Sequence, residues 1–200
     1  MEAIMAVRFH SHNQTKKMVY LAVLTALVAI LSFIKIPIGM FSITLTLPAI
    51  VIGIALCGTW AGAWLGAVFA TVVIVSGEAA SFMVVHPLGT VLTVYLKGIL
   101  AGLVAGLIYK LLFQYRTTVA VAAAAVIAPI VNTGIFFIGC LLFFYETVSE
   151  WGAALGYTSG ISYMFLGLAG INFLIELAFN IVVCPMIVRV LQIISSKKAE

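Results

Sequence analysis

Between Lys35 and Glu78 the chain passes through 42 residues without an Asp, Glu, Lys or Arg. A soluble fold carries charge far more often, at about a quarter of its positions. Uncharged stretches of this length suit hydrocarbon, which one helix crosses with ~20 apolar residues. Composition agrees along the rest of the chain: of 200 residues, 64% are hydrophobic and 8% charged, and the mean hydropathy is +1.28. A water-soluble globule and a disordered chain are both excluded, and little length remains for an extramembrane domain. There is no G-x-x-x-x-G-K-[ST] phosphate loop, so an ATPase module does not fit. Cys57, Cys140 and Cys184 all lie in apolar stretches without zinc spacing, and read as structural thiols.

Six hydrophobic segments can be drawn, at about 17–34, 44–57, 59–76, 87–113, 118–145 and 161–190. The expected fold class is an all-α integral membrane protein, one domain over 1–200 with six transmembrane helices. The first segment ends in Lys35-Ile36-Pro37 without a cleavage site, so a retained helix is expected rather than a signal peptide. The second and third segments cover 33 residues together, fewer than two full crossings. A short or tilted second helix, shielded by its neighbours, is expected there, with a five-span count as the alternative. Eight of the ten basic residues fall at three places: Arg8, Lys16 and Lys17; Lys110 and Arg116; Arg189, Lys197 and Lys198. Six spans put these places and both termini on the cytoplasmic side. The links at 35–43, 77–86 and 146–160 then lie outside, with Glu78, Glu146 and Glu150 against Lys35 alone. The net charge of +4 is thus loop charge, and nucleic acid is not an expected partner.

Small residues recur at a spacing of four: Ala22 and Ala26; Gly58, Gly62 and Gly66; Gly98, Gly102 and Gly106. Such rows let helices approach closely in lipid, either within this chain or against another membrane subunit. Polar residues deep in the membrane are costly and become functional candidates. Lys97 lies ten residues after Pro87, hence ~15 Å below the outer surface. Asn132 follows Pro129, and Asn172 and Glu176 share one face of the last segment, with Asn180 continuing the row. A structural Lys97–Glu176 pair and a polar ligand pocket are the two readings. His86, at the outer start of the fourth segment, is either a loop residue or a contributor to that pocket. Trp60 and Trp64 are either interfacial anchors or a pocket wall. Neither H-E-x-x-H nor G-x-S-x-G occurs, so an enzyme is not expected; no metal site or cofactor is expected either.

Taken together, these features resemble the substrate-binding subunit of an energy-coupling factor (ECF) vitamin transporter. The resemblance rests on six helices, the Ala22-x-x-x-Ala26 stripe just after Lys16-Lys17, and polar groups in the last three segments. His86-Pro87-Leu88-Gly89-Thr90, Lys97-Gly98 and Asn132-Thr133-Gly134-Ile135-Phe136-Phe137 are similar to the pantothenate-type members. The resemblance implies a multi-pass protein of the prokaryotic cell membrane that binds a vitamin from outside and hydrolyses nothing itself. It implies docking, through Ala22 and Ala26 among others, on a membrane coupling subunit (the T component) attached to two cytoplasmic ATPases. Metal-binding members use N-terminal histidines outside the membrane, whereas His10 and His12 here fall inside, which counts against a metal substrate. Lys97 suits one carboxylate, and Asn132 and Asn172 suit amide and hydroxyl groups. Pantothenate meets that description; biotin, riboflavin, thiamine precursors and pyridoxine are the other candidates. The alternative is a self-standing proton-coupled transporter of a small organic anion, using Lys97 and Glu176 as its relay.

Overall fold

A computed structural model describes residues 2–34, 36–38, 41–43, 45–168 and 170–196, with side chains described over 14–34, 45–168, 170 and 172–189. Lys35, Lys197, Lys198 and the side chains of Arg8, His10 and His12 lie outside these residues. The described chain forms α1 (Glu2–Phe33), a hairpin of β1 (Ile36–Ile38) and β2 (Phe41–Ile43), α2 (Thr46–Cys57) and α3 (Thr59–Val75). It continues through α4 (Ala80–Val85), α5 (Pro87–Phe113), α6 (Thr117–Phe143), α7 (Tyr145–Ala154) and α8 (Gly160–Tyr163). A π-helical turn, Met164–Leu168, then leads into α9 (Gly170–Ser196).

Among the described residues, four helical stretches are long and apolar enough to cross a membrane: Gln14–Phe33, Pro87–Phe113, Thr117–Phe143 and Gly160–Arg189. The shorter α2 and α3 are apolar as well. With 12 residues, α2 reaches only ~18 Å, and Thr46 to Val51, Gly53 and Ile54 are buried, so neighbouring helices rather than lipid cover it. At its start, Ser32 on α1 donates to the Val28 carbonyl at 2.7 Å, and the Thr46 hydroxyl reaches Ser32 at 3.2 Å. The first helix extends back to Glu2, beyond the start near 17 drawn from hydropathy, and the outer links contain the hairpin, α4 and α7. The last crossing, Gly160–Arg189, carries a π-helical turn at Met164–Leu168.

Glycine explains how α3 and α5 meet. A Cβ on Gly62 would meet the Gly102 carbonyl oxygen at 2.5 Å; Gly66 and Gly98 face each other in the same way, each against the other's carbonyl. Thr59 extends the seam by donating its hydroxyl to the Gly106 carbonyl at 3.1 Å. At the far end, Thr71 and Tyr95 bring their hydroxyls within 3.0 Å. The glycine rows therefore pack within the chain. Around this pair, Val28, Ile50, Val51, Leu65, Val121 and Ile187 belong to one buried core shared by α1, α2, α3, α6 and α9. A second cluster, around Phe82, Phe144, Val148, Tyr163 and Met164, ties α4, α7 and α8 over the other end of α6.

Candidate functional site

His86 and Pro87 start α5 by complementary means. Proline costs the first helical turn nothing, because its missing N–H has no intrahelical partner there. The His86 Nδ1 accepts from the Gly89 N–H at 2.8 Å, satisfying a donor that the helix leaves open. His86 is thus the N-cap of α5 and stacks near Phe143, with ring centroids 5.5 Å apart.

From this fixed start, Thr90, Thr93, Val94 and Lys97 form one stripe of α5 at helical spacing. The stripe lines a cavity of about 30 Å³, closed by Val73 of α3, Glu78 and Ala79, Phe82 of α4, Phe136 of α6 and Phe144. The Lys97 Nζ lies 5.4 Å from the Phe136 ring centroid and 5.9 Å from that of Phe69. Ammonium over an aromatic face is attractive at this range, by ~0.5–2 kcal/mol according to how dry the site is. Glu78 lines the same cavity as Lys97. The Thr93 hydroxyl is buried against Gly139 of α6 and has no hydrogen-bond partner among the described residues.

Asn132 lies one turn below Phe136 on the same face of α6, after the buried Pro129. It is 8% exposed and its Oδ1 has no partner, an orphan acceptor of a kind that folded proteins seldom leave. The other sequence candidates are placed elsewhere. Asn172 and Glu176 are half-buried on α9 and do not line this cavity; the Glu176 carbonyl accepts from the Asn180 side chain at 2.9 Å. Trp64 is 55% exposed, with its indole N–H donating to Thr25 of α1 at 3.1 Å. It therefore marks the α1–α3 seam rather than a cavity wall. Ala22 and Ala26 are exposed on α1, beside Val19, Val23 and Ile30, which are more than half exposed. Unlike the glycine rows, this stripe has no partner helix within the described residues.

Sequence reasoning missed Glu78, Thr93 and the ring of Phe82, Phe136 and Phe144. Glu78 was counted as loop charge, and aromatic residues in an apolar run carry no distinguishing signal. Thr93 was detectable, since it stands four residues before Lys97 and must share its face.

Long apolar helices that bring a cation, an acid and hydroxyls together in an aromatic-walled cavity define a membrane-embedded protein with a polar interior site. Residues 16–188 match the family "ECF transporter, substrate-specific component", and the chain belongs to that family. It is a multi-pass membrane protein and a transport component rather than an enzyme. No curated protein and no solved structure gives a match.

Proposed function

We propose that the chain captures a small carboxylated vitamin, pantothenate fitting best, and passes it inward with a membrane coupling subunit and two ATPases. The observation that carries the reading is the Lys97 ammonium, a cation ten residues into the apolar α5 that lines the cavity against the rings of Phe136 and Phe69. A cation at that depth is expensive, and an anionic ligand offsets part of that cost. The remaining lining suits the rest of pantothenate. The Thr93 hydroxyl can donate to an amide oxygen, the Thr90 hydroxyl, which donates to the His86 carbonyl at 3.0 Å, can still accept, and Glu78 can accept from hydroxyl groups. Asn132 adds an orphan acceptor below the cavity, on the same face as Phe136. A volume of about 30 Å³ suits water rather than a vitamin, so the walls must part on binding.

Both termini lie on the cytoplasmic side in this reading, with six crossings. Lys17 and Lys110 support it, since they line one and the same groove and so bring two of the basic clusters to one end of the bundle. Ala22 and Ala26 are assigned to the coupling subunit, on the strength of their exposure.

Calorimetry on purified protein tests the substrate class. A charge-assisted hydrogen bond contributes ~1.5–3 kcal/mol. Lys97→Met should therefore weaken pantothenate binding about ten- to 150-fold. Wild type should prefer pantothenate over its alcohol, panthenol, and Lys97→Met should lose that preference. An undiminished preference in the variant would falsify the anionic-substrate reading.

A further inference from the structure

A second hollow lies at the opposite end of the bundle from the Lys97 cavity. It encloses about 520 Å³ between α1, the α2–α3 turn and the end of α5. Its apolar lining includes Ile54, Leu56, Leu103, Leu107 and Phe113. Two cations, Lys17 from α1 and Lys110 from α5, share its rim, and no carboxylate is among its lining residues. Beside them Trp60 is 81% exposed, the arrangement that amphipathic indoles adopt at headgroup level.

We propose that this groove binds an anionic phospholipid, with the phosphate between Lys17 and Lys110 and an acyl chain along Leu103, Leu107 and Phe113. Two ammonium groups on separate helices repel unless an anion joins them. A free phosphate would answer the charge but leave the apolar floor wet, whereas a phospholipid satisfies both. Basic pockets between transmembrane helices are known to select anionic headgroups by this combination. A partner helix would cover the floor, but two lysines at a rim whose lining holds no carboxylate favour the lipid. The proposal does not depend on which vitamin the Lys97 cavity takes.

Native mass spectrometry of the purified full chain, offered phosphatidylglycerol or phosphatidylcholine of matched chains, provides the test. At about 1 kcal/mol per basic residue, the two lysines should favour phosphatidylglycerol roughly thirtyfold. Lys17→Gln with Lys110→Gln should abolish the preference. Lys16→Gln with Arg116→Gln should keep it, because those equally basic neighbours do not line the groove. Phosphatidylglycerol carrying a diazirine on its acyl chain should label peptides containing Leu103 to Phe113. Equal loss of preference in both variant pairs would mean diffuse surface attraction and would overturn the site. Labelling confined to other helices would overturn it as well. If the groove rejects lipid and the Lys17/Lys110 variant fails only to assemble with the coupling subunit, the occupant is protein and the proposal fails.

Discussion

Buried polar atoms with nothing to bond are the most informative features at the residue scale. Thr93 and Asn132 each keep one in the heart of the bundle, Thr93 on the cavity wall and Asn132 one turn below it. Replacing an unsatisfied buried hydroxyl by an isosteric methyl removes a desolvation cost, so Thr93→Val should leave the apoprotein equally stable or more stable. If the hydroxyl serves the ligand, the same change should weaken binding by a neutral hydrogen bond, ~0.5–1.5 kcal/mol or about two- to twelvefold. A thermal melt and a titration on one preparation read both effects. Weaker binding with lower stability would instead assign Thr93 to packing against Gly139. His86 teaches a related lesson. From sequence it could be a loop residue or a ligand contact, and its ring nitrogen proves to cap α5, setting the register that carries Thr93 and Lys97 to the cavity.

Among the elements, the α3–α5 pair is the most tightly specified. Gly66→Ala would drive a methyl into the Gly98 carbonyl, and the helices must separate to admit it. Overpacking of this kind costs ~1–3 kcal/mol, and a melting point lower by roughly 3–10 °C is expected. Gly134→Ala is the matched control, because a Cβ there meets nothing within 4 Å and the helix gains propensity. Equal melting points for the two variants would show that the seam tolerates a gap. The long helices were legible in sequence because crossing hydrocarbon demands an uninterrupted apolar length, and Pro87 and Phe113 bound α5 where the pattern placed them. The shorter pieces were not. Tyr145–Ala154 is amphipathic, with Val148 and Gly152 buried while Glu146 and Glu150 are exposed, and its charges read as a loop. The π-helical turn at Met164–Leu168 leaves no mark in a hydropathy pattern, since its residues are as apolar as their neighbours. Lys97 was legible as a lone charge in hydrocarbon. Its aromatic neighbours were not, because Phe69, Phe82 and Phe136 come from three other helices whose mutual rotation no spacing rule gives.

For the molecule as a whole, orientation and docking are the properties that uptake depends on. Cysteines introduced at Ser81 and Thr158 should react with an impermeant reagent added outside sealed cells, and one at Gln114 should stay protected; all three positions are exposed. Labelling at Gln114 would invert the molecule. Ala22→Trp or Ala26→Trp should abolish uptake while pantothenate affinity stays unchanged, because the exposed stripe lies on α1 and the cavity is built from α3 to α6. Parallel loss of affinity would place the stripe in the chain's own folding. The glycine seam carries one more consequence. Helices in carbonyl contact along several turns cannot slide or tilt independently, so α3 and α5 form the stator of the molecule. Admission of a ligand should then fall to the other walls of the cavity, to α4 with its Phe82 and to the α6–α7 corner at Phe144. Hydrogen–deuterium exchange should accordingly find amides of Gly62–Val73 and Val94–Gly106 slow with or without ligand. Those of Ala80–Val85 and Tyr145–Ala154 should exchange readily and slow down when the proposed ligand is bound, the signature of a gate hung on a fixed post.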